Sequence, residues 1–154
     1  MTGRLSKRIA TLGPIGYLPK APGTWGSITG AIVWFLLAEL FPDFQKYHLT
    51  LIIISAFVGI IVTNIVSKSG NKDPKEVVID EFVGMWIALI WLPHSIKLTF
   101  LALILFRIFD IAKPFGIRRL EKIKGGFGIM VDDIAAGVAS SLVIHLTIYL
   151  LAKF

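Results

Sequence analysis

Polar and apolar positions along this chain separate into blocks. Apolar runs occupy residues 27–41, 49–66, 82–92, 99–112 and 134–152, with short polar stretches between them. A membrane-crossing helix needs ~20 apolar residues, with ~17 as a practical minimum. The second and fifth runs meet that length outright. The first meets it if it begins near Trp25, and the fourth if it begins at Ser95. The third has only eleven residues, bounded by Asp80-Glu81 and Pro93. Extending it to Glu76 draws both acids about a turn into the membrane, and the alternative is a short re-entrant helix. The pattern predicts an all-α fold: a small polytopic membrane helix bundle of about five membrane helices. Residues 1–154 form one domain in this reading, and residues 1–24 form an interfacial N-terminal segment.

Composition sharpens the class. The chain is 55% hydrophobic and only 17% charged, against about a quarter charged in an average soluble domain. Its mean hydropathy is +0.77. Residues 1–18 are basic and interrupted by Gly13, Pro14 and Gly16, so no cleavable signal peptide is expected. The absence of cysteine removes disulfides, thiolate ligands and cysteine nucleophiles.

A net charge of +6 could suggest nucleic acid, but the cations lie between the apolar runs. Lipid headgroups and topology explain them better, and no nucleic-acid partner is expected. Lys and Arg number 4, 1, 3, 1, 5 and 1 in the successive segments outside the runs. The positive-inside rule then places the N-terminus in the cytoplasm. It also brings five acids to the cytoplasmic face: Asp80, Glu81, Asp110, Asp132 and Asp133.

Ionisable groups at membrane depth are costly and usually face a protein interior or a wet cavity. Asp132 and Asp133 follow Gly125-Gly126-Phe127-Gly128 and are expected to open a helix, where one acid could serve as a cap and the second is surplus. The same holds for Asp80 and Glu81. Asp110 lies near the end of its run, where a negative charge opposes the helix dipole. Arg107 and Lys113, three residues to either side, could form an ion-pair ladder with it. In the functional reading Asp110 binds metal while Arg107 and Lys113 hold an anion. Acids and bases around one cavity suit a metal–phosphate complex, and Mg²⁺ prefers oxygen ligands shared with substrate phosphate.

Pro22-Gly23-Thr24-Trp25-Gly26-Ser27 stands at the entrance to the first run. Thr24 or Ser27 could donate to phosphate, although the motif by itself favours a turn with an interfacial tryptophan and a serine cap. His48 and His94 fall on the far side of this topology, and His145 lies well beyond Asp133. Carboxylates with a metal, activating water for attack, are the chemistry left. A small cation channel or a purely structural subunit would also use such helices. A channel would spread its acids through the membrane, and a structural subunit would leave the paired acids unexplained.

Three segments resemble the phosphatidylglycerophosphatase A family: Pro22 through Ser27; Asp73 with Val78-Ile79-Asp80-Glu81-Phe82-Val83-Gly84-Met85-Trp86; and Phe106-Arg107-Ile108-Phe109-Asp110 through Lys113-Pro114 to Gly125-Gly126-Phe127-Gly128 and Asp132-Asp133. The resemblance implies a Mg²⁺-dependent hydrolase of phosphatidylglycerophosphate in the bacterial inner membrane, with its site facing the cytoplasm. It implies metal ligation by Asp80, Glu81, Asp110, Asp132 and Asp133, with Asp73 a further candidate. Catalysis falls to Asp80, Glu81, Asp110 and Asp133, and substrate binding to Thr24, Ser27, Arg107 and Lys113. A lipid phosphatase of different headgroup specificity is the nearest alternative. Phe115-Gly116 departs from the family pattern, in which a second proline is expected, but removes no charged group.

Overall fold

The computed structural model describes residues 3–67, 74–114 and 116–153, and every regular element among them is helical. In chain order these are α1 (Gly3–Ala10), α2 (Pro22–Leu40), α3 (Phe44–Ser67), α4 (Ile79–Ala88), α5 (Ile96–Ala112) and α6 (Gly126–Leu151), with short 3₁₀ turns at Ile15–Tyr17 and Ile117–Lys122. The expected small helical bundle is present. By length and hydropathy α2, α3 and α6 can each cross a membrane. At 17 residues α5 sits at the practical minimum. The candidate residue Asp73 lies outside the described residues.

The short third run is the centre of the molecule. Along α4, Ile79, Asp80 and every residue from Val83 to Ala88 is buried, enclosed by α2, α3, α5 and α6. A helix apolar on all sides is stable only when packed on all sides. Ten residues rise only ~15 Å, yet the chain does not turn back. Gln45 Nε2, at the start of α3, donates to the Leu92 carbonyl at 3.3 Å. His94 Nδ1 lies 3.5 Å from Glu39 Oε2, near the end of α2. The turn after α4 therefore reaches the end where α2 finishes and α3 begins, and α2 to α6 traverse the bundle five times. The indole of Trp86 fixes α4 laterally by donating to the Gly30 carbonyl at 3.0 Å.

Small residues make the central contacts possible. A Cβ at Gly26 would stand 2.8 Å from the Val78 carbonyl oxygen, and one at Gly84 would stand 2.7 Å from both the Asp133 carbonyl oxygen and the Phe106 ring. Ala136, Gly137 and Ser140 form the buried stripe of α6 that meets α4.

One expectation about local structure needs correction. Asp132 and Asp133 do not open α6, which begins six residues earlier at Gly126. Glycine-rich sequence reads as loop by propensity, but here it serves close helix packing. A Cβ at Gly126 would strike the Ile60 carbonyl and lie 2.7 Å from Thr63 Oγ1, and that hydroxyl donates to the Gly126 carbonyl at 3.2 Å. Both aspartates sit in the second turn, where capping cannot account for them.

Gly84→Val should lower the unfolding temperature of the detergent-solubilised protein, at a cost of about 1–3 kcal/mol or more from overpacking. Ile32→Val, on an exposed face, should leave it within a degree or two. Equal melting curves for the two variants would show that α4 and α6 are not packed as described.

Candidate active site

The start of α2, the end of α3, the start of α4, the end of α5 and the start of α6 meet at one end of the bundle. Between the last four lies a cavity of about 570 Å³ lined by all five conspicuous acids together with Lys75, Lys113 and Lys124. Asp80, Glu81 and Asp133 form its core, each offering a carboxylate oxygen within 4.8 Å of the others. Asp80 and Asp133 are 8% and 4% exposed. Asp80 Oδ1 and Glu81 Oε2 are buried without a hydrogen-bond partner among the described residues.

Three anions cannot be held this way alone. Two unit charges ~4 Å apart repel by ~4 kcal/mol at an effective dielectric of ~20. A buried carboxylate also loses its hydration. The cluster must share protons or a cation. An all-oxygen donor set with two unused buried oxygens fits a hard divalent cation.

Asp110 and Asp132 line the same cavity but are already engaged. Asp110 Oδ2 accepts from Arg107 Nη1 at 2.5 Å, and Asp132 accepts from Lys113 Nζ. The first pair matches the ladder that the sequence allows. The second reaches across nineteen residues from α5 to α6, which no helical periodicity could reveal. Lys113 takes a left-handed conformation (φ 47°) as α5 ends before Pro114.

The Pro22–Ser27 motif acts chiefly through its backbone. A Cβ on Gly23 would collide with Glu81 Oε1 and stand 3.4 Å from Arg107 Nη1. Ser27 Oγ donates to the Gly23 carbonyl at 2.9 Å and accepts from Arg107 Nη1 at 3.4 Å. It therefore touches the site through Arg107. Thr24 is half-buried, and its side chain is not part of the cavity lining. Trp25 is exposed and donates to the Pro19 carbonyl at 3.3 Å, as an interfacial anchor would.

The histidines lie away from the acids, as expected. His48 is buried between Phe44 and Trp86 and accepts from Trp34 Nε1 at 3.3 Å. His145 bonds its own helix through the Ser141 carbonyl. Sequence reasoning missed Asn64 and Ser67, which bring the end of α3 into the cavity lining. The signal was a polar Thr63-Asn64 pair late in an otherwise apolar run.

A helical bundle with three helices long and apolar enough to cross a membrane, and with carboxylates and cations gathered at one end, is of the membrane type. The family model for phosphatidylglycerophosphatase A matches residues 8–148. The chain belongs to that family and is a lipid phosphatase. It is 36% identical to phosphatidylglycerophosphatase A of Escherichia coli over 84% of this chain and 76% of the relative. It is 37% identical to that of Haemophilus influenzae over 90% and 91%. A Bacteroides thetaiotaomicron protein, named provisionally as a phosphatidylinositol-3-phosphatase, is 41% identical over 84% of each chain. No solved structure matches the chain.

Saturating divalent cation should raise the unfolding temperature, since a ligand at ~100 times its Kd adds ~2.7 kcal/mol to the folded state. Asp133→Asn should abolish most of that rise. Asp43→Asn, which loses only an exposed ion pair with Lys46, should keep it. A full shift in Asp133→Asn would remove the cluster from metal binding.

Proposed function

We propose that this chain hydrolyses the terminal phosphate of phosphatidylglycerophosphate, with Mg²⁺ as cofactor, at the cytoplasmic face of a bacterial inner membrane. The observation that carries the reading is the cluster of Asp80, Glu81 and Asp133 in a cavity that Asp110, Asp132 and Lys113 also line, with Arg107 paired to Asp110 beside it. Family membership and the names of the two phosphatidylglycerophosphatase relatives support the substrate. The alternation of basic segments along the sequence supports the orientation.

In this reading Asp80, Glu81 and Asp133 hold the cation, and its charge makes their close approach tolerable. When bound, the cation neutralises phosphate charge and acidifies the attacking water. Arg107 and Lys113 rest on Asp110 and Asp132 until substrate arrives. A phosphate monoester brings more negative charge than a carboxylate, so it displaces those partners and takes both cations. This exchange turns Asp110 from an ion-pair member into an unpaired carboxylate beside the reacting group, able to accept a proton. The water oxygen bonds to phosphorus as the bond from phosphorus to the glycerol oxygen breaks. The proton taken from water balances the one gained by the leaving alcohol. Ser27 positions Arg107 through its hydroxyl, and Gly23 keeps α2 close without filling the space that Glu81 needs.

The 41% identical relative favours a second reading, in which the headgroup is a phosphorylated inositol. Both substrates present a phosphate monoester on a lipid headgroup, so one assay separates them. Purified protein should release phosphate from phosphatidylglycerophosphate with Mg²⁺, lose that activity to chelator and regain it when Mg²⁺ is restored. Higher kcat/KM on phosphatidylinositol 3-phosphate would transfer the assignment to the second reading. Asp80→Ala, Asp110→Ala and Asp133→Ala should each cost about 100-fold or more in kcat while the protein still inserts into membranes. Full activity in any one variant would strike that residue from the mechanism.

A further inference from the structure

Beyond the carboxylate cavity, an apolar groove of about 220 Å³ runs along the seam between α2 and α5. Its floor holds Ala31 and Thr99, each 6% exposed, and its rims hold Ile32, Leu36, Ile96 and Phe100, all more than half exposed. The one hydroxyl on the floor is spent, since Thr99 Oγ1 donates to the Ser95 carbonyl at 2.9 Å. The groove therefore asks its occupant for no hydrogen bond.

Register ties this groove to the site. The two helices are antiparallel, and Arg107 meets Ser27 at 3.4 Å. The groove begins at Ile28, the residue after Ser27 on α2, and at Leu103, one turn from Arg107 on α5. Its α2 wall spans residues 28–36, about 12 Å at ~1.5 Å per residue. That approaches the ~15 Å depth of a single leaflet's hydrocarbon. An occupant with its polar end at Arg107 would thus have an apolar part extending to mid-bilayer.

We propose that the α2–α5 groove binds one acyl chain of the substrate phospholipid and sets the register of its headgroup against Arg107. The inference rests on the lipid-phosphatase reading above and adds where the lipid's tail lies. A second apolar hollow, lined on α6 by Ala135, Val138, Ala139, Leu142 and Val143, is the natural control. It is one helix face overhung by Ile117 alone, with no second helix as a wall.

The test is a chain-length series. Phosphatidylglycerophosphates with short, medium and long acyl chains are presented in mixed micelles to wild type, Ala31→Phe, Phe100→Ala and Ala139→Phe. Ala31→Phe fills the floor, and its KM should rise with chain length, reaching roughly tenfold for the longest chains. Phe100→Ala removes an exposed rim with little risk to folding and should flatten the chain-length preference of wild type. Ala139→Phe should follow wild type throughout. The same chain-length dependence in wild type, Ala31→Phe and Phe100→Ala would overturn the groove. So would a change confined to Ala139→Phe. If Ala31→Phe does not fold, Phe100→Ala decides alone. Wild type that releases no phosphate at any chain length would instead sink the functional reading.

Discussion

Everything at the functional end of this protein follows from the repulsion among three carboxylates buried within 4.8 Å of one another. Such a cluster persists only if the surrounding fold holds its members in place. Here they are carried by α4 and α6, which touch at Gly84 and Gly137 with no side chain between them. Asp133 lies one helical turn from Gly137, and Glu81 lies three residues before Gly84. A close helix contact therefore stands within about one turn of Asp133 and Glu81. The packing of α4 on all sides fixes the geometry, and the unused charge makes the geometry useful.

The remaining two acids are placed so that the cavity does not collapse into a single salt-bridge network. Arg107 and Lys113 could in principle neutralise the core cluster. Instead Asp110 and Asp132 occupy them, and Ser27 gives Arg107 a further partner on α2. Each cation thus has a carboxylate partner outside the cluster. In the proposed reading a metal and a phosphate would then be taken up by different groups, the one by the cluster carboxylates and the other by exchange at the paired cations. An ion pair between partly buried groups is weak as a stabilising device but serves well as a reserve of charge.

Much of this was legible in the sequence, for physical reasons that can be named. Block hydropathy reports the helices because lipid requires each crossing segment to satisfy its own backbone. The acids at the ends of runs point to this cavity because ionisable groups at membrane depth are costly and usually face an interior or a wet cavity. The far position of His48 and His94 follows from simple counting. The pairing of Lys113 with Asp132 was not legible, since it joins two helices through a turn whose shape no periodicity encodes. The start of α6 was misplaced because glycine has poor intrinsic helix propensity. The contact with α3 at Ile60 and Thr63 that rewards glycine there is visible only in three dimensions. Asn64 escapes for the same reason, since the Thr63-Asn64 pair is a small interruption in a helix that otherwise reads as a plain span.

The acids also differ in how far local structure repays their burial. Asp80 and Glu81 lie in the first turn of α4, where free amides and the helix dipole favour negative charge. Asp133 lies in the second turn of α6, beyond the range over which the dipole acts strongly. It is 4% exposed. Of the three cluster acids, its charge gains the least from the dipole of its own helix. If any one residue marks this end of the bundle as a binding site rather than an elaborate cap, it is Asp133.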